Sequence, residues 1–384
     1  MTRLNKQQRL FSAYAKFFAV CLLLLLASCS NAQKQQRYTP QEITLRHDIG
    51  EMLLVGFRGT DLDSNNHIVR DIQEYHIGGV ILFEYDAPSR SRPRNIVSPA
   101  QLKRLCTQLQ GLSEEPLFIS IDQEGGKVNR LPQQYGFPYF ASAESMSKKG
   151  KDSVRHYAEI TGQTLGYMGI NLNFAPCVDV NVNPNCPVIG KVERSFSSNP
   201  NKVATCAAIW IGEQRNEHVI SCVKHFPGHG SSDKDSHAGL VDVTNSWKRN
   251  ELIPYKKLIG TGQVDMIMTT HVFNAQIDSV WPATLSKKTL TNLLRDSLGF
   301  KGIIITDDLA MGAMTKQYEY NEILQNAILA GADILCLSNN GKEYEPNLVP
   351  KTVDLIFNMV KEGKIPEERI HQSAFRIRQL KKRI

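Results

Sequence analysis

The sequence predicts an α/β protein, a (β/α)8 barrel of the TIM type built as a single domain. Eight short apolar runs recur along the chain, separated by segments with apolar residues at three- and four-residue spacing. This alternation of strands and helices indicates a parallel sheet, and eight repeats favour a closed barrel over an open doubly wound sheet. No Gly-x-Gly-x-x-Gly follows the first strand, which argues against a dinucleotide-binding fold.

The predicted elements follow from the positions of these runs. Strands are expected at 52–55, 79–83, 117–121, 172–176, 219–223, 266–268, 303–305 and 334–337. Helices are expected at 99–112, 201–216, 287–298 and 322–330, and two more close the chain at 351–362 and 367–382.

The N-terminal segment has the pattern of a targeting signal. Four basic residues precede an apolar run at 17–26 that is too short to cross a bilayer. The run ends in Leu-Ala-Ser-Cys, which resembles a bacterial lipobox and makes Cys29 the lipidated first residue of the mature chain. We therefore expect a lipoprotein signal peptide at 1–28, a tether at 29–40 and the barrel at 41–384. The protein would be exported and membrane-anchored, facing the periplasm; an ordinary cleaved signal with an incidental cysteine is the alternative.

Charge and cysteine content limit the partners. The net charge of +7 falls to 7 − 4 = +3 without the signal, and no basic run with interleaved aromatics appears, so no nucleic-acid partner is expected. Six cysteines follow the tether without C-x-x-C spacing, which argues against a structural zinc site. Export permits disulfides, and whether Cys177 and Cys186 pair is left open. We expect no cofactor, membrane contact only through the lipid anchor, and a monomer.

Proton-carrying side chains are concentrated after the fifth predicted strand. Residues 224–230 read Lys-His-Phe-Pro-Gly-His-Gly, and residues 235–237 read Asp-Ser-His. One histidine alone would most simply be a core or surface residue, but this concentration favours a catalytic site. The pattern resembles the signature of the β-N-acetylhexosaminidases of glycoside hydrolase family 3. The resemblance extends over essentially the whole mature chain, as a single-domain form without the additional sandwich domain of many members.

The resemblance implies four sugar-binding residues. Residues 122–128, Asp-Gln-Glu-Gly-Gly-Lys-Val, are similar to a family segment whose aspartate binds the terminal sugar, which assigns Asp122. An Arg-Ser-Phe sequence assigns Arg194, and the signature assigns Lys224 and His225. Lys127 stands where arginine is usual, and because lysine makes no planar bidentate contact the role of that side chain is open.

The seventh strand ends in two adjacent carboxylates, and alternation along a strand allows one of them to face the site. By resemblance to the family's Asp-Asp/Ala-Leu-x-Met segment, Asp307 is the nucleophile and Asp308 supports the fold. Asp307 as a helix N-cap is the alternative. His271, at the end of strand six, would either line the pocket or cap the barrel rim.

Hydrolysis of a β-glycoside with retention needs a carboxylate nucleophile and a proton donor. The resemblance implies that His237, oriented by Asp235, is the acid/base in place of a second carboxyl. We expect a retaining exo-β-N-acetylglucosaminidase acting on terminal N-acetylglucosamine of peptidoglycan fragments or other β-linked glycans. A β-glucosidase, or a phosphorylase in which phosphate replaces water, stays open. Residues 84–88 depart from the family's loop, so specificity beyond the first sugar is also open.

Two other classes fit less well. A metal-dependent barrel hydrolase would normally carry His-x-His after strand one, and residues 54–59 contain no histidine. Its ligands would come from His225, His229, His237, His271 and Asp307. A non-catalytic sugar-binding lipoprotein would be expected to lack Asp307 or His237, and both are present.

Overall fold

A computed structural model describes residues 38–236 and 239–384. The chain divides into two units, Met1–Ile43 and Thr44–Ile384, and the second contains an eight-stranded barrel. The predicted signal, tether and lipidation site at Cys29 lie outside the described residues, apart from the end of the tether at 38–40. The domain boundaries therefore stay predictions.

All eight predicted strands are confirmed. They are β1 Leu53–Gly56, β2 Gly79–Leu82, β3 Phe118–Ile121, β4 Leu172–Asn173, β5 Ile220–Phe226, β6 Met266–Thr269, β7 Ile303–Ile305 and β8 Leu335–Leu337. Strand β4 is shorter than expected. Strand β5 is longer, so Lys224 and His225 lie within the strand instead of after it.

These eight strands pair in parallel, in the order β8-β1-β2-β3-β4-β5-β6-β7, and every residue of the eight is buried. The last gap, between β7 and β8, is closed by the Thr306 N–H donating to the Ile334 carbonyl (3.0 Å) and the Asp333 N–H donating to the Ile304 carbonyl (2.7 Å). The Asp333 carboxylate also accepts the Ile304 N–H at 3.0 Å. These backbone hydrogen bonds, with one isolated bridge between Ile305 and Ile334, therefore close the barrel between β7 and β8.

Helices connect the strands around the barrel. They are α1 Pro40–Glu51, α2 His67–Tyr75, α3 Pro99–Gly111, α4 Ala143–Lys148, α5 Lys151–Met168, α6 Pro200–Asn216, α7 Ile253–Gly260, α8 Gly312–Thr315, α9 Tyr320–Ala330, α10 Leu348–Lys361 and α11 Glu367–Lys381. In the described part of the chain, none is long and apolar enough to cross a membrane. Five of the six predicted helices are confirmed with small shifts at their ends. The sixth is a π-helix, Lys288–Ser297, after which the Leu298 N–H donates to the Leu293 carbonyl (2.9 Å).

Local chemistry explains where the helices begin. The Ser98 side chain accepts the Gln101 N–H before α3, and the Asn199 side chain accepts two N–H groups before α6. Both helices then open with proline, whose fixed φ suits the first turn and whose missing N–H needs no partner there.

The open question about Cys177 and Cys186 is answered by their environment. Both are buried free thiols. Cys177 Sγ donates to Asp179 Oδ2 (3.2 Å), and Cys186 Sγ lies 3.2 Å from Ser232 Oγ. Each cysteine therefore has its own polar partner, and the loop they flank carries no disulfide.

Candidate active site

A cavity of about 580 Å³ lies at the carboxyl-terminal ends of the barrel strands. In a parallel barrel these ends meet at one rim, so side chains distant in sequence converge there. Five of the predicted site residues line this cavity, namely Asp122, Arg194, Lys224, His225 and Asp307. The prediction that these side chains share one pocket is consistent with this geometry. Their roles in binding and catalysis stay predictions.

Lys224 and Arg194 are held by one buried carboxylate. Lys224 Nζ lies 2.6 Å from Glu124 Oε1 and 2.7 Å from Asp122 Oδ1. Arg194 makes a bidentate contact with Glu124, with Nε at 2.8 Å and Nη2 at 2.7 Å from the two oxygens. Two cations and two carboxylates therefore form one ion cluster at the side of the cavity.

The charges in this cluster stabilise one another. Burial alone would raise the pKa of Glu124, but Arg194 and Lys224 outweigh it and hold the pKa well below its usual range. Burial would lower the pKa of Lys224, but Asp122 and Glu124 raise it above its usual value. Glu124, Arg194 and Lys224 therefore stay charged at neutral pH, so the cavity is lined by preorganised donors.

The sequence predicted no role for Glu124. It is buried and does not line the cavity itself, so it acts on the pocket through Arg194 and Lys224. A signal was available, because Asp122 and Glu124 are two residues apart and side chains alternate along an extended chain.

His225 is oriented by a second unassigned carboxylate. His225 Nδ1 lies 2.6 Å from Asp179 Oδ2, and Asp179 Oδ1 accepts the His229 N–H at 2.7 Å. Burial would raise the pKa of Asp179, but His225 lowers it to about 2. His225 Nε2 lies 3.2 Å from Arg194 Nη2. Because guanidinium only donates, Nε2 is the acceptor and Nδ1 carries the proton shared with Asp179.

The two carboxylates after β7 have different environments. Asp307 Oδ1 accepts the Asp308 N–H (2.8 Å), and the Asp307 N–H donates to Thr269 Oγ1 at 3.4 Å. Asp308 accepts the Ser338 N–H (3.1 Å) and hydroxyl (2.5 Å), which joins the end of β7 to the loop after β8. Burial raises the pKa of Asp308. Asp308 therefore has the structural contacts expected of a residue that supports the fold. Both residues nevertheless line the cavity, whereas alternation along the strand predicted that one of them would face the site.

His271 caps the rim instead of lining the cavity. It is fully buried, with Nδ1 at 2.8 Å from Thr284 Oγ1 and Nε2 at 2.9 Å from the Asp308 carbonyl oxygen. Its position resolves the two alternatives in favour of a structural role, in which it fixes the backbone beside the paired carboxylates.

The predicted acid/base residue, His237, lies outside the described residues, but the residue before it is well positioned. Ser236 is buried, its carbonyl accepts the Ala313 N–H (3.1 Å), and its hydroxyl lies 3.2 Å from His229 Nε2. Burial lowers the pKa of His229 to about 4. Asp235 is half-buried and does not line the cavity.

The outer wall of the cavity is formed partly by the loop after β2. Glu84 and Tyr85 line the cavity, and the chain comes back beside Glu84 at Arg94. Arg94 is buried and donates to Asp86 Oδ1 (2.6 Å) and to the Asn339 carbonyl (3.0 Å). Lys127, by contrast, is exposed and does not line the cavity.

One group of side chains has the composition of a metal site. Within the described residues, the ligand atoms of Cys177, Asp179 and His225 lie within 4.8 Å of one another, and all three residues are buried. The Cys177 thiol and His225 Nδ1 both contact Asp179 Oδ2, so hydrogen bonds already satisfy these atoms. A metal-dependent barrel hydrolase would take its ligands from His225, His229, His237, His271 and Asp307, and this group has only His225 in common with that set.

Comparison with known proteins identifies the relatives of this arrangement. The family model described as glycosyl hydrolase family 3 N terminal domain matches residues 44–380. The β-hexosaminidase of Tolumonas auensis is 33% identical over 292 residues, covering 75% of this chain and 83% of the relative. β-Hexosaminidase A of Pseudoalteromonas piscicida is 33% identical over 341 residues, covering 82% of this chain and 54% of the relative.

A solved structure, that of a glycoside hydrolase family 3 β-N-acetylglucosaminidase from Paenibacillus sp. FPU-7, superposes with a TM-score of 0.80 at 35% identity. The match covers 88% of this chain and 62% of that one. The chain thus spans about half the length of the Pseudoalteromonas protein (54%) and somewhat more of the Paenibacillus protein.

Proposed function

Because the chain belongs to glycosyl hydrolase family 3, we propose that it is a retaining exo-β-N-acetylglucosaminidase. It removes terminal N-acetylglucosamine from β-linked glycans. The observation that carries the proposal is the shared cavity in which Asp307 meets Asp122, Arg194, Lys224 and His225. The identities of the relatives support this choice of sugar, since they are β-hexosaminidases and a β-N-acetylglucosaminidase.

The pocket has the chemistry to hold a sugar. Hydroxyl groups both donate and accept, and the cavity offers cationic donors in Arg194 and Lys224 beside the carboxylate of Asp122. Bonds to charged partners are the stronger ones, and these partners are already held by the ion cluster.

The reaction proceeds in two displacements. The Asp307 carboxylate attacks the anomeric carbon while the glycosidic bond breaks, and the leaving oxygen takes a proton from His237. The same histidine then removes a proton from water, which attacks the glycosyl–Asp307 ester and releases the sugar. Asp235 orients the imidazole and stabilises its protonated form. The two steps restore both residues and retain the anomeric configuration.

The anchoring of Ser236 supports the role assigned to His237. Ser236 accepts from Ala313, and Ala313 follows Met311 and Gly312, which line the cavity. Ser236, the residue that precedes His237 in the sequence, is therefore bound to the segment that lines the cavity.

Hydrolysis of para-nitrophenyl N-acetyl-β-glucosaminide, compared with the matching β-glucoside, tests the proposal. We expect the wild type to prefer the acetamido sugar and Asp307→Ala to lose activity on both substrates. Preference for the glucoside would move the protein to the other branch and remove the argument for His237. Absence of both activities in folded wild-type protein would contradict the proposed function itself.

The assignment of His237 has a separate test. His237→Ala should lose most steady-state turnover yet still form the covalent intermediate from an activated aryl glycoside, because such a leaving group needs little protonation. A burst of one nitrophenolate per active site is the expected signature. If the burst is missing in folded protein, His237 does not have this role.

Location and natural substrate follow from the N-terminal signal. Export with lipidation at Cys29 would hold the enzyme outside the cytoplasm, where peptidoglycan fragments are the β-N-acetylglucosaminide at hand. Cys29→Ala should move the protein from the membrane fraction to the soluble fraction without changing activity on the aryl substrate. Membrane association that survives this substitution would contradict the lipid anchor.

A further inference from the structure

Glu84 lines the cavity, and one oxygen of its carboxylate has no hydrogen-bond partner among the described residues. The residue is 8% exposed, and the unpartnered oxygen is the buried Oε2. The closest cation is Arg130, whose Nε lies 3.7 Å from Oε2 and is also buried and unpartnered. Arg92 Nη2 lies 3.9 Å from Oε1. A buried acceptor and a buried donor thus face each other across a gap too wide for a hydrogen bond.

The same loop contains a closed ion pair for comparison. Arg94 Nη1 lies 2.6 Å from Asp86 Oδ1, and Arg58 is bidentate to the same carboxylate at 3.0 and 2.8 Å. Asp86 is therefore hydrogen-bonded to two arginines. Glu84, two residues earlier, has arginines on two sides, but both lie beyond hydrogen-bond distance.

The backbone holds Glu84 beside the proposed sugar-binding residues. The Arg94 N–H donates to the Glu84 carbonyl (3.2 Å). In the pairing of β2 with β3, Leu82 lies opposite Ile121. Asp122 follows Ile121 by one residue and Glu84 follows Leu82 by two, so both lie just beyond the ends of neighbouring strands, at the same rim of the barrel.

We infer that Glu84 is a further substrate-binding residue, which accepts a hydrogen bond from a hydroxyl of the terminal sugar. This inference rests on the proposed function. The hydroxyl is one beside those bound by Asp122, and its oxygen accepts from Arg130 Nε. A hydroxyl placed beside this pair is suited to it, because one hydroxyl can donate to the carboxylate and accept from the guanidinium at once. Unmet buried polar groups are costly, so a sugar that supplies the hydroxyl is strongly favoured over one that lacks it.

The test asks whether Glu84 and one particular hydroxyl of the sugar bind each other. Values of kcat/KM are measured for wild type, Glu84→Gln and Glu84→Ala on para-nitrophenyl N-acetyl-β-glucosaminide and on its 3-deoxy, 4-deoxy and 6-deoxy analogues. We expect Glu84→Gln to lower kcat/KM by about tenfold and Glu84→Ala by about 10- to 100-fold on the full sugar, as for a charged hydrogen bond. On one deoxy analogue the penalty of Glu84→Ala should shrink to less than about threefold, because its partner is already missing.

Glu343→Gln is the matched control, since Glu343 is an exposed carboxylate next to Lys342, which lines the cavity. It should leave kcat/KM unchanged. Thermal unfolding shows whether each variant is folded, and the isosteric Glu84→Gln tests the inference if Glu84→Ala does not fold. Equal penalties on all four substrates, or unchanged kcat/KM in Glu84→Gln, would overturn the inference. If the wild type hydrolyses none of them, the proposed function fails, and calorimetric binding of N-acetylglucosamine to wild type and Glu84→Gln decides the role of Glu84 by itself.

Discussion

Substitution of Glu124 by glutamine tests how far the pocket depends on a residue behind it. The change preserves side-chain volume and removes the charge that holds Arg194 and Lys224, at contacts of 2.8, 2.7 and 2.6 Å. Each such charge-assisted bond contributes about 1.5–3 kcal/mol, but bonds within one cluster are not additive. We expect a total loss of about 3–5 kcal/mol in the free energy of unfolding, the range for breaking a buried ion pair.

The same change should impair catalysis. A unit of this size has an unfolding entropy of roughly 0.7 kcal/mol per kelvin, so the expected fall in Tm is about 4–7 °C. Arg194 and Lys224 line the cavity and would lose the carboxylate that fixes them. Misplacement of binding groups by about 1 Å can cost on the order of 100-fold, and we expect kcat/KM to fall by about that factor.

Thermal unfolding and Michaelis kinetics on the aryl substrate measure both effects. Glu144→Gln is the control, because Glu144 is half-buried and pairs on the helix surface with the exposed Lys148, a contact that contributes at most about 1 kcal/mol. A Tm that falls while kcat/KM is unchanged would make the cluster purely structural. Unchanged values of both would refute the reasoning that Glu124 holds the two cations.

Three further changes have distinct expected outcomes. Asp179→Asn replaces the acceptor of His225 Nδ1 (2.6 Å) with an amide, so kcat/KM should fall on the order of 100-fold, whereas an unchanged value would show that this contact does not orient the imidazole. Burial raises the pKa of Glu251 to about 7, so its protonated form stabilises the fold below pH 4.5, and that stability is lost as pH rises through 7. Urea titrations should therefore show the wild type losing about 3 kcal/mol of unfolding free energy between pH 4.5 and pH 8, relative to Glu251→Gln. If the difference in unfolding free energy between the two proteins did not change with pH, the raised pKa of Glu251 would be contradicted. Arg94→Lys keeps the charge but cannot bridge Asp86 and the Asn339 carbonyl in a planar geometry, so it should lower Tm and raise KM, and an unchanged KM would argue that the loop after β2 does not shape the pocket.

Much of the site could be predicted because it lies directly after recognisable strands. Asp122 and Asp307 follow short apolar runs, and in a parallel barrel all strand ends meet at one rim. Lys224 and His225 belong to a distinctive motif. The predicted residues therefore converge in the structure even though up to 185 positions separate Asp122 and Asp307 (307 − 122) in the sequence.

The residues that sequence reasoning missed act through other side chains. Glu124 contacts Arg194 across 70 positions, and Asp179 contacts His225 across 46. The spacing between Asp122 and Glu124 draws attention to Glu124, but no local pattern identifies Arg194 or His225 as the partner of either carboxylate. Glu84 lay in a segment recognised only as a departure from the family, and its unmet hydrogen bonds become apparent once Arg130 is placed opposite it.

The sequence by itself determined the barrel, because hydrophobic alternation between strands and helices is a local property that each run carries independently. It also determined which chemical groups stand at the strand ends. Only the tertiary structure decided that His271 caps the rim, that Cys177 and Cys186 are separate thiols, and that buried carboxylates fix the pocket's cations. Those outcomes depend on which distant groups share a buried space, where desolvation makes every unpaired charge costly and therefore selects its partner.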